Sequence, residues 1–250
     1  MGWWMNLEYA AISDRGIMRD KNEDFWNVVL GMDGKPQAFI VADGMGGHVA
    51  GDVASRMAVE TISNKIASRL QQDDSADSVK RILEEAVLEA NEAIYQYALQ
   101  TLNGLGTGTT LTAGLLHSGK LTIAHIGDSR FYLIREGAIE KLTRDHSFVG
   151  ELIEKGILDP EEAREHPLRN QITRALGYEK QVQIDFYELD IHKGDIYLFC
   201  TDGLTLKISP DELLSMLGIE GKLDSVLKRM VELANQRGGE DNITAIAVKM

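Results

Sequence analysis

The stretch Phe39-Ile-Val-Ala-Asp43-Gly44-Met45-Gly46-Gly47-His48 constrains this chain more than any other. Four apolar residues form a short buried-strand pattern, and a carboxylate stands where the strand must stop. The glycines after it allow a sharp turn and leave little side-chain bulk beside that carboxylate. The device recurs. Leu121 to Asp128 and Asp195 to Gly203 are apolar runs that end in Asp beside Gly, and Asp241 stands at the entry of the apolar run Ile243–Val248. One Asp-Gly pair is an ordinary turn signal. Four strand-end aspartates, each flanked by apolar strand, instead suggest carboxylates that meet at one rim of a sheet structure. Buried carboxylates without counter-charge are costly, so they protonate or recruit cations, and cations are the expectation here.

With 250 residues the chain is long enough for a substantial core without covalent staples. A net charge of −13 argues against a nucleic-acid binder, which would carry a basic face. The single cysteine, Cys200, lies in an apolar run and reads as core, and a cytoplasmic setting is expected. No apolar stretch approaches a membrane span. Met1-Gly2 opens like a lipidation signal, but Asn6 stands where Ser or Thr is wanted, and Trp3 and Trp4 read as a small apolar patch.

Along the chain, Leu7–Ile12 and Phe25–Leu30 read as strands, with a hairpin turn at Met32–Pro36 before the strand ending at Asp43. Ala54, Ala58, Ile62, Ile66 and Leu70 place one apolar stripe on a helix, and Val79 to Tyr97 carries a second. The glycine-rich segment Asn103–Gly108 follows a helix and precedes a strand, the reverse of a phosphate-cradling loop. Thr109–Leu116, Leu121–Ile126 and Phe131–Ile134 read as an antiparallel meander. Thr143–Gly177 is polar and punctuated by Pro160 and Pro167, as an insertion on the rim would be. Strands over Val182–Ile191 and Ile196–Cys200, a helix capped by Ser209, a helix over Lys222–Gln236 and a last strand over Asn242–Val248 complete the chain. These elements do not alternate as βαβ units, so antiparallel sheets with helices packed outside are expected, in a single domain.

Aspartate is a natural ligand for Mg²⁺ or Mn²⁺, whereas zinc would want paired Cys or a set of His that this chain lacks. Two such cations bridged by a carboxylate can ready water for in-line attack on phosphorus. Arg19, four residues before Glu23, is the natural cation for the phosphate oxygens.

Eight motifs occur in order: Ser13-Asp-Arg-Gly with Arg19-x-x-Asn22-Glu23-Asp24, Asp43-Gly-Met-Gly-Gly-His48, Gly106-Thr-Gly-Thr-Thr110, Gly127-Asp-Ser-Arg130, Leu142-Thr-Arg-Asp-His146-Ser, His166-Pro-x-Arg-Asn170 with Thr173 to Gly177, Thr201-Asp-Gly203, and Glu240-Asp-Asn242. In them the chain resembles bacterial members of the metal-dependent protein phosphatase family of type 2C, from about residue 8 to 248.

The resemblance implies an α+β fold, a four-layer α-β-β-α sandwich of two antiparallel sheets, in one domain over residues 1–250 with a flap at about 143–180. It implies hydrolysis of phosphoserine and phosphothreonine in proteins by direct attack of a metal-bridged hydroxide, opposing a bacterial Ser/Thr kinase. The cofactors would be Mn²⁺ or Mg²⁺, two ions at the core and a third near the flap. Asp43 would bridge the core pair, Gly44 would offer its carbonyl, and Glu23 would help hold the second metal. Asp202 and Asp241 would hold the first, Asp128 with Asp202 the third, and Arg19 the phosphate. Asp24 and Asn242 would be supporting groups. Partners would be phosphorylated proteins, including a kinase, for a monomeric enzyme. In eukaryotic relatives a His follows the Asp-Gly as proposed general acid; Met45 stands here, and a thioether donates no proton. His48 lies three residues on, and it, His125, His146 and His166 read as structural. The alternatives are an inactive phosphoprotein-binding relative and a phosphoesterase acting on small molecules.

Overall fold

Alternation along the strands decides the architecture. In Pro36–Met45, Ala38, Ile40 and Ala42 pack with one set of helices, while Phe39 and Val41 face the opposite way, and all five are fully buried. A strand buried on both faces must lie between two other layers. The computed structural model describes residues 7–45, 50–69, 76–104, 106–219 and 221–250; Trp3, Trp4, His48 and Leu70 lie outside these.

In chain order the elements are β1 (Glu8–Asp14), β2 (Asp24–Leu30), β3 (Pro36–Met45), α1 (Gly51–Arg69), α2 (Ala76–Thr101), β4 (Gly108–Thr109), β5 (Leu111–His117), β6 (Lys120–Ile126), β7 (Arg130–Arg135), β8 (Ala138–Lys141), α3 (Phe148–Glu154), α4 (Pro160–Glu165), β9 (Asp185–Asp190), β10 (Ile196–Cys200), α5 (Asp202–Thr205), α6 (Pro210–Leu217), α7 (Leu223–Gln236) and β11 (Ile243–Lys249). One sheet has the order β1-β11-β10-β7-β8 and the other β2-β3-β5-β6-β9, with β4 on β3. Every pairing is antiparallel.

Helices α1 and α2 cover the second sheet, where Ala54, Ala58, Ile62, Ile66, Leu83, Val87 and Ile94 meet Ile40, Leu111 and Leu115. Helices α6 and α7 cover the first, through Leu213, Leu217, Val226, Leu227 and Met230. Between the sheets lie Phe39, Val41, Leu121, Phe131, Tyr197, Phe199, Ile246 and Val248. This is the expected α-β-β-α sandwich.

The expected meander is corrected in one respect. β5 and β6 do pair, but β7 leaves them for the other sheet, where it lies between β10 and β8. Gly127, at φ +99°, makes the crossing, and a Cβ there would stand 2.6 Å from the Thr110 side chain. β9 and β10 likewise belong to different sheets. A short turn signal gives the reversal but not the sheet that receives the next strand. β8 and the four-residue α5 escape the sequence reading, being too short for a periodic signal.

Phe199 stacks on Phe39 of the other sheet at 5.9 Å between ring centres and meets Phe131 edge-on at 4.8 Å. Phe199→Ala is expected to lower unfolding free energy by about 3–5 kcal/mol in urea titration. A loss below ~1 kcal/mol would show that the sheets are held together elsewhere.

Candidate active site

Asp43 reaches the rim near the end of β3, directly opposite Asp24 of β2. Its backbone is pinned: Asp43 N–H donates to Thr110 Oγ1 at 2.9 Å, and its carbonyl accepts from Thr110 N and Thr109 Oγ1, both at 2.9 Å. Gly44 follows because nothing larger fits. A Cβ there would stand 2.1 Å from the carbonyl oxygen of Gly51 and 2.6 Å from that of Glu23. The start of α1 and the β2 entry thus close on the backbone beside Asp43.

Asp128 follows the Gly127 crossing, with Gly127 N–H donating to His146 Nδ1 at 3.0 Å. Asp202 opens α5. The residue before it, Thr201, donates through Oγ1 to Asp24 at 2.9 Å and accepts from Thr244 N–H at 3.0 Å. Asn242 stitches the charged Arg15–Glu23 loop in place: its Oδ1 accepts from Glu23 N–H at 2.8 Å, and its Nδ2 donates to the carbonyls of Arg15 and Lys21 at 2.8 and 2.9 Å. That loop carries Arg19, whose guanidinium reaches Asp241 Oδ2 at 2.9 Å and the Glu240 carbonyl at 3.2 Å.

Segments from across the chain therefore line one cavity of about 190 Å³, with Arg19, Glu23, Asp43, Gly44, Met45, Asp128, Asp202, Asp241 and Asn242 on its wall. Asp24 is not on that wall. It lies buried behind it, bonded to Thr201. Asn170 and Ile172, from the segment between α4 and β9, complete the lining. Sequence reading gave neither a role; the His166-Pro-x-Arg-Asn170 motif was the one signal for Asn170. Arg130, which the Gly127-Asp-Ser-Arg130 motif would assign to fixing that turn, grips Asp145 (2.7 Å from Nη2 to Oδ2) and Thr205 Oγ1 (2.7 Å) with a half-buried guanidinium.

The electrostatics are those of crowded acids. Burial, then hydrogen bonds and neighbouring carboxylates, leave Asp24 at about 7. Burial and then Asp241 push Asp202 to about 6, against the pull of Arg130. Burial first, and neighbouring aspartates after it, raise Asp43 and Asp128 well above the usual carboxylate range. Burial and Asp52 also raise Glu23. One oxygen each of Asp24 and Asp202 is buried without a hydrogen-bond partner. The unpartnered oxygen of Asp202, in a site of oxygen donors, fits Mg²⁺ or Mn²⁺. Among the described residues no three His, Cys, Asp or Glu are already gathered as a ready-made metal cage. Glu23, Asp43, Asp128, Asp202 and Asp241 are the residues on the cavity wall that would hold such ions.

Among the described residues, His125, His146 and His166 make internal hydrogen bonds. His125 is fully buried; its Nε2 donates to the Arg144 carbonyl at 2.9 Å, so Nδ1 accepts from Thr112 Oγ1 at 3.0 Å. Burial and His146 lower its pKa to about 4, so it is neutral at pH 7. His146 accepts the Thr173 N–H on its carbonyl at 2.8 Å, and His166 Nδ1 accepts from Leu168 N–H at 3.1 Å; both shape the segment before β9.

Asp202 binds its proton more tightly folded, at about 6, than unfolded, at its ordinary value of 3.8. Between those values the native protein carries the extra proton, so this group's contribution to stability falls as pH rises. His125 pulls the total the other way, because the unfolded chain takes up its proton first. The acid's share is therefore read by difference. In metal-free protein Asp202→Asn is expected to raise Tm over wild type at pH 7.5, with the gain shrinking at pH 5. A gain that grows on acidification would contradict this reading.

The Protein phosphatase 2C family profile matches residues 19–246. The serine/threonine phosphatase stp of Listeria welshimeri is 39% identical over 247 residues, covering 98% of this chain and 96% of that protein. The S. agalactiae serine/threonine phosphatase superimposes with a TM-score of 0.91 at 35% identity, covering 98% of this chain and all 100% of that one. The catalytic domain of the serine/threonine protein phosphatase PstP, solved with two manganese ions, gives 0.84 at 36% identity, with 97% of each chain covered. With the profile spanning most of its length and the same sandwich beneath it, the chain belongs to the protein phosphatase 2C family.

Proposed function

We propose that this protein is a metal-dependent protein serine/threonine phosphatase that opposes a Ser/Thr kinase in the cytoplasm. The observation that carries the reading is the single cavity walled by Glu23, Asp43, Asp128, Asp202 and Asp241 with Arg19 at its edge. Acids in that number suit cations, and a guanidinium beside them suits the phosphate that the cations would also bind.

Asp43 would contribute to both core ions, Asp202 and Asp241 would hold the first, Glu23 would help hold the second, and Gly44 would offer its carbonyl. Asp128 with Asp202 would take a third ion on the side facing the Asn170 segment, within the flap at about 143–180. Mn²⁺ or Mg²⁺, when bound, supplies the positive charge that offsets the phosphate and acidifies water. This chain's residues do the rest. Arg19 is half-exposed, so it can exchange Asp241 for two phosphate oxygens and orient the ester. Asn242 keeps Arg19 and Glu23 in register, since it bonds the loop that carries both. Asp24 and Thr201 brace Asp43 and Asp202 from behind. Met45 lines the cavity without a transferable proton, so the proton for the leaving alkoxide has to come from another group or from water. Among the described residues no helix is long and apolar enough to cross a membrane.

Purified protein in millimolar Mn²⁺ is expected to release phosphate from p-nitrophenyl phosphate and from a phosphothreonine peptide, and to lose activity in EDTA. A panel including nucleotides and sugar phosphates should show much the highest kcat/KM with phosphopeptides. No turnover of any of these would refute the reading. Asp43→Asn should lower kcat by about 10²–10³-fold or more, since ion placement is worth several kcal/mol in the transition state. Asp128→Ala should impair turnover less; unchanged activity would remove the third-ion assignment.

A further inference from the structure

The carboxylate cavity opens into a larger groove of about 730 Å³. Arg19, Asp128, Asn170, Asp202 and Asp241 line both, so the two form one continuous depression. The smaller part has room for little beyond a phosphate and its ions. The larger falls in the range of roughly 300–1,000 Å³ typical of clefts that enclose most of a drug-sized ligand. Whatever carries the phosphate must lie there.

The chemistry of the groove is unlike that of the cavity. Its apolar lining comes from three parts of the chain: Val149 and Ile153 of α3 with Ala163 of α4, Tyr132 of β7, and Leu206 with Pro210 around the α5–α6 turn. Leu206 is 44% exposed, a large apolar side chain left in water beside the site. The charges on the groove are mostly committed to each other. Arg130 and Lys141 both bind Asp145, Lys207 binds Glu240, and Arg19 binds Asp241. Of the cations lining it, Arg169 alone has no close ion pair among the described residues. Away from the carboxylate cavity the paired charges cancel and the two left over, Arg169 and Glu165, are of opposite sign, so the groove selects by apolar burial more than by charge.

We infer that this groove receives the extended chain flanking the phosphorylated residue of a protein substrate, and that it selects substrates carrying a bulky apolar side chain there, seated against Leu206 and Ile153. The inference rests on the phosphatase reading and narrows its substrate class. Burying such a side chain in a pre-formed apolar wall stabilises ground state and transition state alike, so the preference belongs in KM.

The test is a set of phosphothreonine peptides in which one leucine walks through an alanine background on either side of the phosphothreonine. Wild-type protein in Mn²⁺ is expected to show about a tenfold or greater gain in kcat/KM at one or two positions, carried by KM. Leu206→Asp and Ile153→Ala are expected to bring the leucine-to-alanine ratio close to one. Taking that ratio within each variant cancels any general loss of activity, and Leu206 is exposed enough to be replaced without unfolding the chain. A flat leucine scan, a preference for acidic or basic flanks instead, or variants that keep the wild-type ratio would each overturn the inference. If p-nitrophenyl phosphate is turned over while the scan is flat, only this inference falls. If wild type hydrolyses neither, the phosphatase reading falls with it.

Discussion

The contact between the two sheets is the constraint on which the rest of the molecule depends. Phe39 from one sheet stacks on Phe199 from the other, with Phe131 edge-on beside them. Each of these rings lies three or four residues from a carboxylate of the cavity: Phe39 from Asp43, Phe131 from Asp128, Phe199 from Asp202. Over so few strand residues the backbone has little freedom, so locking the rings also locks the distances between the acids. The apolar interior fixes the geometry of the polar rim.

That rim is unfavourable on its own terms. Buried carboxylates lose hydration, and each raises its neighbours' pKa, so the fold holds these groups against their own preference. The backbone anchors explain how. Asp43 is held through its main chain by Thr109 and Thr110, and Asp202 follows a threonine tied to both sheets through Asp24 and Thr244. The hydrogen bonds are spent on the backbone and on neighbouring residues, which leaves carboxylate oxygens available to a ligand. Strain of this kind, supported from elsewhere in the fold, is where local rules are expected to fail for functional reasons.

The segment between β8 and β9 is joined to this rim at several points. Asp145 at its root is gripped by Arg130, which also bonds Thr205 at the end of α5, the helix that Asp202 opens. His146 bonds Gly127 from both its ring and its backbone. The wall that carries Asn170 and Ile172 is therefore fastened to the backbone of Gly127 before Asp128, to the Arg130 side chain after it, and through Arg130 to the helix that starts at Asp202.

Much of this was legible in the sequence, and for identifiable reasons. Apolar runs ending in Asp-Gly announced strands buried on both faces with acids at their ends, and the four-residue stripe of Ala54, Ala58, Ile62 and Ile66 announced a covering helix, because burial imposes period on sequence. The motif set named Arg19, Glu23, Asp43, Gly44, Asp128, Asp202 and Asp241, and all of them line the one cavity. Composition and local pattern could not reveal which sheet β7 or β10 would join, because a turn of two or three residues reads the same whether the chain returns to its neighbour or crosses the sandwich. Nor could they separate Asp24, behind the wall, from Asp43, on it: the two are partners in one strand pair, and only the packing of Thr201 over the former decides which faces the cavity. The sequence by itself determined the layers and the acids. The tertiary structure decided how those acids converge, since long-range contacts between strands far apart in the chain have no local signature.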